Sequence, residues 1–247
     1  MKRYVIIGGT SAIAEHCARI WIAKADLDLT LVARHRERAA SVAADLKTRN
    51  PQSVVRVIES DFSMPESIGE LVSNIYLDGA VDCVLIAHGS LLDQKTCEGN
   101  LPKIASELNI NGVSPALFAE AFAAEMSKSG KGQIGIISSV AGERGRKSNY
   151  IYGAAKGLLT RYAQGLQHRF AGTDIVVSLI KPGPTQTPMT AHLINDGAKL
   201  ADVTAVAQDI VDGMAKNRSV IYTPGKWSVI MMIIRHLPRI IFNRMDI

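Results

Sequence analysis

Cysteine is scarce in this 247-residue chain, and the three present form no pattern. Cys17, Cys83 and Cys97 make no CxxC pair and fit no metal-ligand spacing. That argues against a disulfide framework and a protein-bound metal, and reads as free thiols in a reducing, cytoplasmic compartment. Long apolar runs are also missing. Nothing approaches the roughly 18 residues of a bilayer-spanning helix. Met1-Lys2-Arg3 precedes apolar Tyr4–Ile7, but Gly8-Gly9 ends that run short of a secretory core of about 7–15 residues. A buried first strand is the better reading. Repeats, low-complexity tracts and interdomain linkers are absent as well.

The composition is that of a globular protein, 47% hydrophobic and 21% charged with a net charge of +5. The positive excess is local. From Lys216 onward the chain carries Lys216, Arg218, Lys226, Arg235, Arg239 and Arg244 against Asp246 alone. Elsewhere the charges balance, and no basic stripe of the kind that tracks nucleic acid is present.

Apolar, Val/Ile-rich runs predict strands at Tyr4–Ile7, Leu29–Val32, Val54–Ile58, Cys83–Ala87, Ile134–Ile137 and Ile175–Ile180. Helical stretches alternate with them at Ala12–Ala25, Glu37–Arg49, Glu66–Tyr76, Leu101–Met126 and Tyr150–Ala171, with Pro65 as an N-terminal signal. This rhythm predicts an α/β fold, a single doubly wound Rossmann-type domain with a mostly parallel sheet. Residues 1–226 form the expected catalytic, dinucleotide-binding domain, and residues 227–247 an apolar and basic tail. The proline-bearing segment Pro184–Val203 breaks the rhythm and is expected to act as a lid.

Gly8-Gly9-Thr10-Ser11-Ala12-Ile13 follows the first strand and opens the first helix. Free backbone N–H groups and the helix dipole at such a place attract a pyrophosphate. Alanine stands at positions 12 and 14, where a glycine-rich fingerprint has glycine, and a turn with negative φ tolerates it. The second strand ends at Ala33-Arg34, with Arg36 and Arg38 beyond and no carboxylate to bind a ribose 2′-hydroxyl. Guanidinium groups there favour a 2′-phosphate, so the expected cofactor is NADP(H).

Tyr152 and Lys156 are four residues apart on a helix and share a face. An ammonium beside a phenol favours the phenolate and makes the tyrosine a usable proton donor near neutral pH. Tyr222 and Lys226 have the same spacing, but Pro224-Gly225 forbids a regular helix between them. Ser139 lies thirteen residues before Tyr152, at the carboxyl end of a strand, where a hydroxyl could hold a carbonyl oxygen.

With Gly8, Asp61, Asn109-Ile110-Asn111-Gly112, Ser139, Tyr152, Lys156, Pro182-Gly183 and Thr187 together, the chain resembles the short-chain dehydrogenase/reductase family over essentially its whole length. The resemblance implies a catalytic set of Ser139, Tyr152, Lys156 and Asn109, the last joining a proton relay with Lys156. It implies cofactor contacts from Gly8, Gly9, Thr10, Ser11, Ala12, Ile13, Arg34, Asp61, Phe62, Ala87, His88, Gly89, Tyr152, Lys156, Pro182, Gly183, Thr185 and Thr187. Asp61 and Phe62 would flank the adenine. Ala87-His88-Gly89 stands where the family usually has Asn-Ala-Gly, and Ile86 occupies the place of a usual asparagine. Dimers or tetramers are the family's common assemblies.

A narrower resemblance, through Ser138–Gly153, Pro188-Met189-Thr190 and Leu237-Pro238-Arg239, is to decaprenylphosphoryl-2-keto-ribose reductases. It implies a lipid-linked sugar ketone as substrate, with Arg144, Arg146 and Lys147 near its phosphate or, alternatively, in a solvated basic loop. The tail then has two readings: peripheral contact with the inner face of a membrane through its apolar and arginine residues, or a cover for the core or another subunit. A 3-oxoacyl-thioester reductase and a non-catalytic NADP(H) sensor are the competing functions.

Overall fold

Short Val- and Ile-rich segments pair side by side: β1 (Lys2–Ile7), β2 (Leu27–Ala33), β3 (Val54–Glu59), β4 (Cys83–Ile86), β5 (Lys131–Ile137), β6 (Asp174–Pro182) and β7 (Val220–Thr223). They form a 7-stranded sheet in the order β3-β2-β1-β4-β5-β6-β7, and every pairing is parallel. The computed structural model describes residues 1–191 and 199–245.

Both faces of the sheet are covered, which is why the strands are continuously apolar. Alternate side chains serve opposite faces. Val5 and Ile7 join a core with α3 (Pro65–Leu77), α6 (Ser114–Ser129) and α7 (Tyr150–Arg169), through Ile68, Phe118 and Leu159. Ile6 joins the opposite core with α1 (Ala12–Lys24), α2 (Arg36–Arg49) and α8 (Val203–Ala215), through Cys17, Leu46 and Ile210. All three cysteines are free and buried, and burial pushes the thiols of Cys17 and Cys83 up, away from thiolate chemistry.

β7 and α8 lie outside the sequence expectations. Val-Ile-Tyr-Thr is only four residues long, and α8 follows a loop the sequence marks as irregular. The lid expected over Pro184–Val203 falls partly outside the described residues. Its described ends are tied together by a parallel bridge between Thr185 and Ala201.

The long helix expected over Leu101–Met126 is interrupted. α4 (Gln94–Cys97) and α5 (Leu101–Leu108) lead into a π-helical turn, Asn109–Val113, before α6 begins. A side chain at Gly112 would come within 2.9 Å of the Ala155 carbonyl oxygen, so the turn packs directly on α7. Such wide turns recur at functional sites. Here it changes which residue of Asn-Ile-Asn-Gly faces inward.

The C-terminal segment contains α9 (Lys226–His236) and α10 (Arg239–Phe242). Among the described residues no helix is long and apolar enough to cross a membrane.

Candidate active site

The strand order reverses between β1 and β4, and a cavity of about 380 Å3 opens at the carboxyl ends of the strands there. Ligands of open α/β sheets bind at such a switch point. Gly8 has φ +89, and a Cβ on it would lie 2.6 Å from the His88 backbone nitrogen. Glycine is therefore required, and β1 and β4 can approach closely only because it is there. Ala12 is the first residue of α1, a helical position with no such requirement. Ser11 caps α1 without a side-chain hydrogen bond, leaving the helix's first N–H groups turned toward the cavity. Gly8, Thr10, Ser11, Ala12 and Ile13 line it. Gly9 does not: it packs on Leu31, where a Cβ would sit 2.9 Å from that side chain.

Ser139, Tyr152 and Lys156 converge on the same cavity. Ser139 follows β5, and its hydroxyl accepts a hydrogen bond from the Ala141 N–H at 3.1 Å. Lys156 is 3% exposed, and its Nζ donates to the Ile137 carbonyl at 3.2 Å. That ammonium lies 5.7 Å from the centre of the Tyr152 ring. Burial pushes the tyrosine up to about 12, against the lowering effect of the Ser139 hydroxyl hydrogen-bonded to it. Burial also brings Lys156 down to about 8, with the Glu107 carboxylate pulling the other way. The lowered phenol pKa expected from the sequence is thus not a property of the protein alone. Desolvation, helped by the Glu107 carboxylate, outweighs the lowering by the Ser139 hydroxyl.

Asn111, and not Asn109, enters the cavity wall. The π-helical turn carries the Asn111 side chain inward, fully buried, while Asn109 stays partly exposed and outside the lining. The Asn111 Oδ1 accepts from the Ser90 N–H at 2.9 Å, and its Nδ2 donates to the Glu107 carbonyl and carboxylate, both at 3.1 Å. A Cβ at Gly89 would lie 2.7 Å from the Asn111 Oδ1 and 3.7 Å from the Lys156 Nζ, so amide and ammonium share one corner. A regular helix through Leu101–Met126 hid this inversion. Glu107, buried and also accepting from the Ser90 hydroxyl at 2.6 Å, carries no sequence signal of its role.

Ala87, His88 and Gly89 line the cavity beside Phe62. The His88 ring sits 4.7 Å from the Phe62 ring and 5.5 Å from that of Phe118, with Nε2 3.0 Å from the Ser114 hydroxyl. Burial, then Lys156 and Arg34, pushes His88 down to about 3, so it is a neutral packing group. Asp61 is exposed and outside the lining. Its carboxylate accepts from the Ser63 N–H and hydroxyl, which hold it below the usual range. Pro182, Gly183, Thr185 and Thr187 line the far side, and the Trp227 indole closes against Gly183 from outside.

Arg34 and Arg38 line one end of the cavity, and Arg146 also lines it. Arg144 turns away. Its guanidinium donates to the Ile234 and Leu237 carbonyls at 2.5 and 2.8 Å and stacks on the Phe242 ring at 3.7 Å. It clamps the C-terminal segment and is unavailable to a ligand. Glu143 next to it is buried and accepts from Lys181 Nζ at 2.8 Å and the Tyr222 hydroxyl at 2.5 Å, with Arg235 Nε 3.2 Å from its other oxygen. Among the described residues, no group of three or more histidines, cysteines or carboxylates could hold a metal.

A doubly wound parallel sheet, a glycine turn leading to an uncapped helix, and a Ser–Tyr–Lys set at the same strand ends define a dinucleotide-dependent oxidoreductase. Residues 2–197 match the model of the short chain dehydrogenase family, and the chain belongs to that family. It is 30% identical over 247 residues to an uncharacterized oxidoreductase of Streptomyces coelicolor, covering 99% of this chain and 96% of the relative. Two solved structures share the fold. A short-chain dehydrogenase from Sphingobium yanoikuyae in complex with NADPH superposes with a TM-score of 0.83, at 21% identity and 97% coverage of both chains. The 3-oxoacyl-[acyl-carrier protein] reductase from Brucella melitensis in complex with NAD gives 0.79, at 21% identity, covering 92% of this chain and 97% of that one.

Proposed function

We propose that the protein is an NADPH-dependent ketone reductase in which Tyr152 protonates the carbonyl oxygen as hydride reaches the carbon. The observation that carries this reading is the meeting of Ser139, Tyr152 and Lys156 in one cavity with the Gly8 turn. The cofactor, when bound, would supply the hydride. The α1 N-terminus would hold its pyrophosphate, and Arg34 and Arg38 its 2′-phosphate. Ser139 orients the carbonyl and stabilises charge on its oxygen. Tyr152, held protonated by burial, is the acid. Lys156, poised at about 8, is the cation that returns a proton to the phenol, with Asn111 fixing the corner beside it. The catalytic domain is residues 1–226, assembled as a homodimer or homotetramer.

The finer reading is a ketone on a polyprenyl-phosphate-linked pentose, with the tail against the inner face of a membrane. The exposed Val229, Ile233, Ile240 and Ile241 on α9 and α10 support it, since they offer an apolar face to a lipid.

NADPH oxidation should be followed with a polyprenyl-phosphoryl 2-keto-pentose beside an acetoacetyl thioester. Tyr152→Phe should lower kcat by about 10²–10⁴-fold while NADPH still binds. Near-normal turnover by that variant refutes the reductase reading, and activity on the thioester alone replaces the substrate.

A further inference from the structure

The cavity wall contains arginines carried by two different parts of the fold. Arg34 directly follows β2, whereas Arg146 lies in the loop between β5 and α7. In the sheet order, β1 and β4 stand between those strands. Three inter-strand steps separate the two carboxyl ends by about 14 Å. Arg146 is placed instead by the turn that opens α7, one helical turn before Tyr152. The second arginine faces the half of the cavity that holds Ser139 and Tyr152, where the substrate reacts.

Three observations make the Arg146 end a built site. Its guanidinium is half-buried and makes no hydrogen bond or ion pair among the described residues, and burial lowers its pKa. Asn149 also lines the cavity, with a buried Oδ1 that lacks a partner. The Asn149 N–H donates to the Arg146 carbonyl at 3.2 Å, so one turn carries both side chains. Asn149 is also the N-cap residue of α7, a helix of 20 residues, and it gives that helix no side-chain hydrogen bond. The positive end of the helix is thus directed at the same place. Finally, no aspartate or glutamate occurs among the described lining residues. A guanidinium removed from water without a carboxylate is costly unless a ligand compensates it.

We infer that Arg146 forms an oxyanion subsite for the substrate, so that the ketone reduced at Tyr152 carries a phosphate or carboxylate group. Arg146 binds two of its oxygens side by side, and the Asn149 Oδ1, an acceptor, takes a hydrogen bond from a substrate hydroxyl beside that group. The subsite rests on the reductase reading and narrows it from ketones in general to anionic ones. It also sets the direction in which the substrate lies, with its charged group toward the start of α7 and its carbonyl toward Tyr152.

Matched ketone pairs test this on the full chain with NADPH. Dihydroxyacetone phosphate is set against dihydroxyacetone, and levulinate against its methyl ester. The neutral 9,10-phenanthrenequinone reports reductase competence. At least one charged probe should exceed its neutral partner about tenfold in kcat/KM. Arg146→Met should bring that ratio down about tenfold, to near one, and Arg146→Lys should reduce it by less. NADPH fluorescence titration verifies that the variants are folded. Preference in the first pair alone identifies a phosphate, and in the second alone a carboxylate. Tyr152-dependent quinone reduction without a charge preference, or with a preference that survives in Arg146→Met, overturns the subsite and leaves the reductase reading standing. Failure to oxidise NADPH with every probe, the quinone included, overturns both.

Discussion

Lys156→Met should abolish turnover and, in the absence of cofactor, make the folded chain more stable. Lys156 is 3% exposed and its described hydrogen-bond acceptor is the Ile137 carbonyl. Its pKa falls from 10.5 to about 8 because burial penalises the ammonium. At about 1.4 kcal/mol per unit, that shift represents roughly 3 kcal/mol charged against folding at neutral pH. Methionine removes this penalty, fills a similar volume and loses one hydrogen bond of about 1 kcal/mol. The net gain is about 2 kcal/mol, or roughly 4–8 °C in melting temperature for a chain of this size. The sign of the pH dependence follows from proton counting. Between about 8 and 10.5 the unfolded lysine holds its proton and the folded one does not. Wild-type stability therefore rises with pH through that window relative to the variant. The penalty is complete below about 8 and gone above 10.5. Differential scanning calorimetry of both proteins at pH 7 and pH 10 isolates the effect, because other groups titrate alike in the two. A variant less stable than wild type at pH 7, or a difference that does not shrink by pH 10, refutes the reasoning.

Two further outcomes are expected. Arg34→Glu places a carboxylate at the end of β2 and should lower the kcat/KM preference for NADPH over NADH by about 10–100-fold; an unchanged preference removes Arg34 from cofactor selection. Asn111→Ala should reduce kcat by about tenfold or more, whereas Asn109→Ala should change it by less than about threefold. The reverse ranking, read from steady-state rates with equal circular dichroism, would return the relay to Asn109.

The strand ends that build the site were legible because they are encoded locally. Gly8 is required by its φ, and Tyr152 and Lys156 follow from helical spacing with Ser139 at the preceding strand end. The doubly wound sheet was legible for the same reason, through buried runs alternating with amphipathic ones. What was hidden depended on contacts distant in sequence. The Asn109–Val113 turn widens where Gly112 meets α7, and no local signal in Asn-Ile-Asn-Gly announces that encounter. Arg144 and Arg146 look equivalent in sequence. One is taken by carbonyls about ninety residues away, and only the folded chain separates them. The pKa of Tyr152 was misread because spacing gives a neighbour but not the depth at which both groups are buried.

Glu143 ties the far end of the chain to the reaction centre. It stands four residues beyond Ser139 and gathers Lys181 from β6, Tyr222 from β7 and Arg235 from α9. Anything that drew α9 outward, whether a bilayer or a second subunit, would strip a cation from a carboxylate that is 2% exposed. Lys181 and the Tyr222 hydroxyl would stay on that carboxylate, so the loss of the half-exposed Arg235 costs about 1 kcal/mol or less. The C-terminal segment is therefore held by a latch weak enough for a lipid surface or another subunit to release without unfolding what lies beneath it.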